Sequence, residues 1–511
     1  MMAALDKSMM IGVIGAGAMG AGIAQVAAQS GHLVKLYDNR ADAAKETIAS
    51  IEKQLKRLVE RKKFTLEQVQ QTVANLQVAN ELADFEHAGL VIEAIVENRD
   101  VKQAVFAELE SICSAQCILA TNTSSISITR LAAGMKHPER MVGMHFFNPA
   151  PIMKLVEVVS GLVTSKEIAT TVFDTAAAWG KVPVYAASTP GFIVNRVARP
   201  FYAESLRLKQ EQVADCATLD ALMREAGGFR MGAFELTDLI GQDVNYAVTC
   251  SVFDAYYGDF RFQPSLIQKD LVDAGYLGRK SGEGFYSYKE GAVKPEPHCV
   301  PPSHHPAPSC VAMGNLDALS ALVMRLSGSG ITVDQDPSSP LNVLKIGDAT
   351  VVLTDGRMAS ERANSESLEN LVLVDLALDY QKTTHLALSR AHNTPDDVFQ
   401  QVVDAFFAVG IKVSEVADSP ALVVMRTVAM LANEAADAVL NGVSSVEGVD
   451  NAMRYGVNYP LGPLAWADRI GIDRVQQVLN ALQTSYGEDR YRTSLLLKRL
   501  SDQGRGFYEN K

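Results

Sequence analysis

The chain has 511 residues, 48% of them hydrophobic and 21% charged, with a formal net charge of −12. That length holds about three or four domains with sizeable cores, and an acidic chain without a long basic tract argues against a nucleic-acid partner. No apolar run approaches the ~18 residues of a membrane span, the N-terminus does not read as a signal peptide, and six cysteines without a CxxC are too sparse for a disulfide scaffold, so a reduced, soluble, cytoplasmic protein is expected.

The first informative unit is MIGVIGAGAMGAGIAQVAAQSG. Ile11 to Ile14 reads as a buried parallel strand. Gly15, Gly17 and Gly20 form GxGxxG around Ala18 and Met19, and a helix pattern runs on to Gly31. HLVKLYD is a second strand with Asp38 at its end, about 20 residues after the glycines. Gly15 permits a tight turn, Gly17 lets a pyrophosphate approach the backbone, and Gly20 lets helix and strand pack closely. The helix N-terminus offers N–H donors to phosphate. Asp38 can accept hydrogen bonds from both ribose hydroxyls and would repel a 2′-phosphate, so NAD is favoured over NADP, a preference Arg40 slightly weakens.

IEKQLKRLVERKKF reads as one helix carrying Lys53, Lys56, Arg57, Arg61, Lys62 and Lys63. It is either a solvated face or a site for substrate phosphates. Three further strands follow, GLVIEAIVEN, CILATNTSS and RMVGMHFF. Ligands gather at the carboxyl ends of parallel strands, and Glu97, Asn122, Ser124 and His145 all fall there.

In GMHFFNPAPIMKLVEVV, Glu157 stands inside an apolar run. A carboxylate is almost never buried without a partner. Pro149 and Pro151 break the chain after His145, and a returning strand brings Glu157 against the imidazole. The carboxylate would fix the tautomer and make the other ring nitrogen a better base. The alternative is a core histidine with Glu157 facing solvent on an edge strand. Further on, STPGFIVNRV places Pro190 and Gly191 at a domain hinge and Asn195 near the first turn of a helix, facing the cleft between domains or capping the helix.

The helical region after Ser188 recurs. STPGFIVNR matches DSPALVVMR, and Leu219–Asp243 matches Val449–Asp473 at constant offset. Asp220, Arg224, Gly232, Asp238, Gly241 and Asp243 recur as Asp450, Arg454, Gly462, Asp468, Gly471 and Asp473, whereas Asn195 becomes Met425. Between the copies, TVVLTD and NLVLVDLAL give an αβ rhythm without GxGxxG or an HFFNP block, as expected of a degenerate relative of the first domain that binds no NAD. The second helical copy is read as packing against the first, with an independent ligand module as the alternative. The Pro-rich segment before Asn315 marks a linker. Its His298, Cys299, His304, His305 and Cys310 fit no zinc spacing, and no metal is expected.

The segments GVIGAGAMGAGIAQVAA, VIEAIVEN, ATNTSSISI, GMHFFNPAPIMKLVEVV and STPGFIVNRV, in this order, resemble the L-3-hydroxyacyl-CoA dehydrogenase family over roughly the first 290 residues. The resemblance implies His145 as general base and Glu157 as its partner, with Ser124 and Asn195 as polar residues at the reacting centre that bind substrate oxygens. It implies Glu97 and Lys102 near the cofactor, and the basic helix, with Lys53, Lys56, Arg57 and Lys62, at the nucleotide end of coenzyme A. The duplicated helical domain resembles bacterial members acting on 3-hydroxyadipyl-CoA in phenylacetate breakdown, or on 3-hydroxybutyryl-CoA. A dicarboxylic chain would need a cation at its far end, such as Arg196, Arg199 or Arg230. Family members often dimerise through the helical domain, which implies a pseudo-dimer within one chain.

The expected fold is thus an α/β Rossmann-type NAD-binding domain (1–187) followed by a helical domain (188–288), a Pro-rich linker (289–316), a degenerate Rossmann-like segment (317–416) and a second helical domain (417–511). The expected activity is NAD-dependent oxidation of a 3-hydroxyacyl-CoA thioester. The rivals are a β-hydroxyacid dehydrogenase, whose glycine-rich lysine segment is not found here, and a non-catalytic NAD-binding protein, which would have lost the histidine or its glutamate.

Overall fold

The computed structural model describes residues 4–303 and 308–508. By contacts the chain divides into two units, one of residues 1–196 with 441–458, the other of 197–440 with 459–511. The contact units therefore do not follow the linear order of the segments: a stretch of the second helical copy belongs with the N-terminal sheet.

The first unit is built on eight strands: β1 (Met10–Ile14), β2 (Val34–Tyr37), β3 (Leu76–Val78), β4 (Ala88–Glu93), β5 (Ile118–Thr121), β6 (Met141–Phe146), β7 (Leu155–Ser160) and β8 (Val182–Ala187). Their order in the sheet is β3-β2-β1-β4-β5-β6-β7-β8. Strands β1, β4, β5 and β6 are buried along their whole length, as continuous apolar runs in a parallel sheet require. The one antiparallel pair is β6 with β7, and its register sets His145 directly opposite Glu157. The helix Val446–Gly456 packs on β7 and β8. A Cβ on Gly456 would stand 2.5 Å from Leu155 Cδ2 and 3.0 Å from Val194 Cγ2, so only glycine allows this approach.

The basic helix begins and ends earlier than the sequence reading. It spans Ala43–Glu60, with Ile51 and Leu55 buried one turn apart. Lys62 has φ 56° and stands outside it. The reason is the next helix, Leu66–Ala74, which begins with a reciprocal cap between Thr65 and Gln68 and forces a turn before it.

The second unit holds seven strands: β9 (Cys310–Met313), β10 (Val333–Asp336), β11 (Val343–Ile346), β12 (Ala349–Leu353), β13 (Leu371–Val374), β14 (His385–Arg390) and β15 (Lys412–Glu415), in the order β10-β9-β11-β12-β13-β14-β15. Here too the direction reverses before the last two strands, β13 pairing antiparallel with β14 and β14 parallel with β15, while β11 runs against both its neighbours. The helix Cys216–Glu225 packs on β14. Helices Arg199–Gln210 and Val424–Leu440 pack on each other. The latter is buried nearly all round, and its charged residues are paired: Arg426 Nε lies 2.8 Å from Glu204, and Glu434 lies 3.0 Å from Arg261 Nη1. Breaking one such buried pair costs about 3–5 kcal/mol, because it strands a charge.

The repeated acids have a structural task. Asp238 accepts the N–H groups of Phe285 and Tyr286, and Asp468 those of Phe507 and Tyr508. Each copy thus ties down its own GFY segment with one carboxylate.

Candidate active site

The glycine turn is shaped for a pyrophosphate. Gly15 has φ +102°, and a Cβ on Gly20 would collide with the Gly15 carbonyl, so both positions exclude a side chain. Gly17 differs: no atom lies within 4 Å of where its Cβ would stand. That open space meets the start of the helix Ala18–Gln29, which includes Ala18, Met19 and Gly20. Asp38, just past β2, accepts the Ala16 N–H at 2.8 Å and the Arg40 N–H at 3.0 Å. Partial burial would raise its pKa, but the two N–H donors and the Arg40 guanidinium outweigh it and hold the carboxyl below its ordinary value. The acid is charged, as a 2′-hydroxyl partner should be and a 2′-phosphate partner should not. The turn and this acid therefore fit NAD.

Beyond β4 lies a second group of charges. Lys102 is 1% exposed, with Nζ 2.6 Å from Glu93 and 3.2 Å from Glu97. Its ammonium is thus committed to two carboxylates. The sequence reading missed Glu93, although the signal was the one used for Glu157: a carboxylate in an apolar strand. Glu93 also accepts from Thr121 Oγ1 at 2.7 Å. Glu97 Oε1 accepts from Thr123 Oγ1, the Ser124 N–H and Ser125. Burial works to raise the Glu97 pKa, but Thr123, Lys102 and Ser125 hold it below its ordinary value. Asn122 Oδ1 accepts the Phe146 N–H at 2.8 Å, which fastens the end of β5 to the end of β6.

The returning strand brings His145 and Glu157 together. His145 Nδ1 lies 2.7 Å from Glu157 Oε2, and the residues are 6% and 0% exposed. The other oxygen, Oε1, accepts the N–H groups of Ile193 at 3.1 Å and Val194 at 2.9 Å. These donors open the short helix Val194–Val197, which contains Asn195. One carboxylate therefore fixes both the imidazole and the backbone that carries Asn195. Phe147 and Phe192 flank the imidazole, with ring centroids 4.6 Å and 5.8 Å away. No described residue hydrogen-bonds Nε2. With Nδ1–H held by Glu157, Nε2 carries the lone pair, the tautomer a general base needs.

Lys53, Lys56 and Arg57 line a shallow depression on their helix together with Glu52 and Glu60. Lys56 pairs with Glu52 at 2.6 Å. Of the linker residues considered for metal, His304 and His305 lie outside the described residues. Cys299 Sγ lies 3.7 Å from His385 Nε2.

The second unit repeats this scaffold with other side chains. Asp375 follows β13, and its N–H donates to the Ala387 carbonyl on β14 at 3.1 Å. Asp375 and Ala387 thus face each other as His145 and Glu157 do. The Asp375 carboxylate accepts the N–H groups of Val423 at 3.0 Å, Val424 at 2.7 Å and Met425 at 3.0 Å. Val423 and Val424 correspond to Ile193 and Val194, and Met425 to Asn195. The helix-anchoring acid has therefore moved across the strand pair into the histidine's place, and no imidazole among the described residues hydrogen-bonds to it. Burial pushes its carboxyl up to about 6 despite these donors.

A glycine turn shaped for NAD and a buried histidine–carboxylate pair, on one sheet, define an NAD-linked dehydrogenase of alcohols. Residues 10–189 match the 3-hydroxyacyl-CoA dehydrogenase NAD-binding domain, residues 191–288 and 422–509 the C-terminal domain of that family, and residues 351–420 a 3-hydroxybutyryl-CoA dehydrogenase reduced Rossmann-fold domain. The chain is 44% identical to the 3-hydroxyadipyl-CoA dehydrogenase of Escherichia coli K12 over 96% of both proteins. It is 42% identical to a probable 3-hydroxybutyryl-CoA dehydrogenase of Bacillus subtilis over 54% of this chain and 96% of that one. A crystal structure of 3-hydroxybutyryl-CoA dehydrogenase from Escherichia coli K12 superposes with a TM-score of 0.88 at 42% identity, covering 98% of this chain and 99% of that one. The chain belongs to the 3-hydroxyacyl-CoA dehydrogenase family: its cofactor is NAD and its reaction the oxidation of a 3-hydroxyacyl-CoA thioester.

Proposed function

We propose that the chain oxidises (S)-3-hydroxyadipyl-CoA to the 3-oxoacyl thioester, with 3-hydroxybutyryl-CoA as the second reading. The observation that carries the chemistry is the 2.7 Å contact between His145 Nδ1 and Glu157, with Nε2 left open. His145 Nε2 takes the proton of the 3-hydroxyl, and Glu157 stabilises the imidazolium that forms. Ser124 and Asn195 hydrogen-bond the substrate oxygens and stabilise charge developing there. Gly15, Gly17, Ala18, Met19, Gly20 and Asp38 would hold NAD at its pyrophosphate and adenosine, with Glu97, Lys102, Asn122 and Ser124 forming the remainder of its site. NAD, when bound, supplies the hydride acceptor. Lys53, Lys56, Arg57 and Lys62 attract the phosphates of coenzyme A.

The choice of a dicarboxylic substrate is supported by the full-length similarity to the Escherichia coli 3-hydroxyadipyl-CoA dehydrogenase. Two relatives of about half this length carry the 3-hydroxybutyryl name, as does the full-length Escherichia coli crystal structure, and these support the second reading. The segments 1–187, 188–288, 289–316, 317–416 and 417–511 are proposed as the linear domains. The two helical copies are proposed to form an intrachain pseudo-dimer. Two equivalent hydrogen bonds support it: Ala187 N–H to the Val443 carbonyl at 2.8 Å in one unit, and Ala417 N–H to the Val213 carbonyl at 3.1 Å in the other. In each, a residue at or just past the end of a sheet-edge strand bonds to the other helical copy. No helix among the described residues is long and apolar enough to cross a membrane, and a cytoplasmic location is proposed.

The test is NADH formation from a panel of 3-hydroxyacyl-CoA thioesters. A higher kcat/KM for 3-hydroxyadipyl-CoA than for 3-hydroxybutyryl-CoA is expected. The reverse order would favour the second reading, and no turnover with any thioester would overturn both.

A further inference from the structure

The helical part of the second unit encloses a cavity of about 460 Å³ that the chemistry above does not use. Arg199, Tyr202 and Arg207 reach it from one helix, Thr249 from another, and Arg490 and Tyr491 from a turn of the second copy. Arg199 is 4% exposed. Its Nη1 donates to Thr249 Oγ1 at 3.0 Å, and its guanidinium lies 4.8 Å from the centre of the Tyr202 ring. Burial pushes that guanidinium below its ordinary range, with Tyr202 and Tyr459 acting the other way. Two acids also line the wall, and each is bound to an arginine: Glu211 to Arg426 at 2.8 Å, Glu488 to Arg490. Leu206, Phe262 and Leu266 supply an apolar side.

The cavity is lopsided with respect to the repeat. Where the first copy has Arg199, Tyr202 and Arg207, the second has Ala429, Ala432 and Asp437. Arg207 donates to Glu204 at 3.3 Å and to Tyr491 of the second copy at 3.2 Å, a packing role, whereas Arg199 lines the cavity with no counterpart in the second copy. A buried guanidinium over a phenol ring and bonded to a threonine hydroxyl, in a cavity with an apolar side, suits a carboxylate on an aliphatic body.

We propose that this cavity binds a carboxylate carried on a short aliphatic chain, with Arg199 as its anion-binding group. The ligand of that chemistry is a free dicarboxylic acid.

The experiment titrates the NAD-loaded enzyme with adipate and with its uncharged diamide, adipamide, by calorimetry. Arg199→Met and Ala203→Leu are treated alike; the second narrows the cavity and keeps the arginine. Adipate binding that adipamide does not share, weakened about tenfold in either variant, is expected for a free acid. The proposal is overturned if adipate and adipamide behave alike, or if both variants bind adipate as the unmodified enzyme does. Turnover of 3-hydroxybutyryl-CoA by the unmodified enzyme, measured in the same series, reports separately on the dehydrogenase reading.

Discussion

Strands β6 and β7 carry His145 opposite Glu157, and Asp375, just past β13, stands opposite Ala387 on β14. Both arrangements solve the same structural problem. The N–H groups that open the following helix need a buried acceptor, and a carboxylate supplies it in each half. In the first half the acid stands one strand away from the position opposite it, which leaves room for an imidazole between carboxylate and ligand. In the second half the acid occupies that position itself. The difference separates two roles that Glu157 combines: anchoring a helix, which both halves keep, and orienting a base, which only the first half performs.

Beyond the base itself, the largest effect is expected at Glu157. In Glu157→Gln the amide can donate to Nδ1 and drive the ring proton to Nε2, the wrong tautomer for a base. We expect kcat to fall between about a hundredfold and ten-thousandfold in steady-state NADH assays. Asp375→Asn should leave kcat within about twofold, the size expected away from the chemistry.

Lys102→Met removes the cation between Glu93 and Glu97. Glu93 is 0% exposed, so stranding its charge should lower the unfolding free energy by about 3 kcal/mol in urea denaturation. Unchanged stability would contradict this assignment of the pair.

Asp375 should also leave a pH signature. Its carboxyl is pushed up to about 6 from an ordinary value of 3.8. Between these values the native chain holds a proton that the unfolded chain has released. Stability should therefore fall as pH rises through this window, by on the order of 3 kcal/mol, and change no further above it. Comparing urea unfolding at about pH 4 and about pH 6.5 isolates this contribution, because Asp375→Asn lacks it.

Smaller effects are expected on the basic helix. Replacing Lys53 and Lys56 by Gln should raise KM for acyl-CoA a few-fold, roughly 1 kcal/mol, and flatten its dependence on salt. No gain at all is expected from grafting the pair. Asp375→His with Ala387→Glu, in a His145→Gln background, should restore no NADH formation, because the second half has no glycine turn. Measurable turnover there would erase the distinction between the halves.

Much of this was legible in the sequence. The glycine turn, Asp38 and the strand-ending residues are local patterns, and local patterns survive without knowledge of packing. The His145–Glu157 pair was legible because two prolines mark the reversal and a buried carboxylate demands a partner. Glu93 obeyed the same rule and was overlooked, since its cation, Lys102, arrives from the following helix. Asp375 was hidden for a different reason: its meaning depends on the register of β13 against β14, which NLVLVDLAL does not encode. The attachment of Val446–Gly456 to the first sheet is a long-range packing event that rests on the missing side chain of Gly456. The end of the basic helix at Glu60 was set by the cap of its successor, not by its own composition.

The central claim is that one histidine, in the first half, is the base. It is tested most directly by measuring NAD binding and NADH formation for His145→Gln beside the unmodified enzyme. The account predicts NAD affinity within about twofold and turnover reduced by about a thousandfold or more. Turnover intact with NAD binding lost would contradict it.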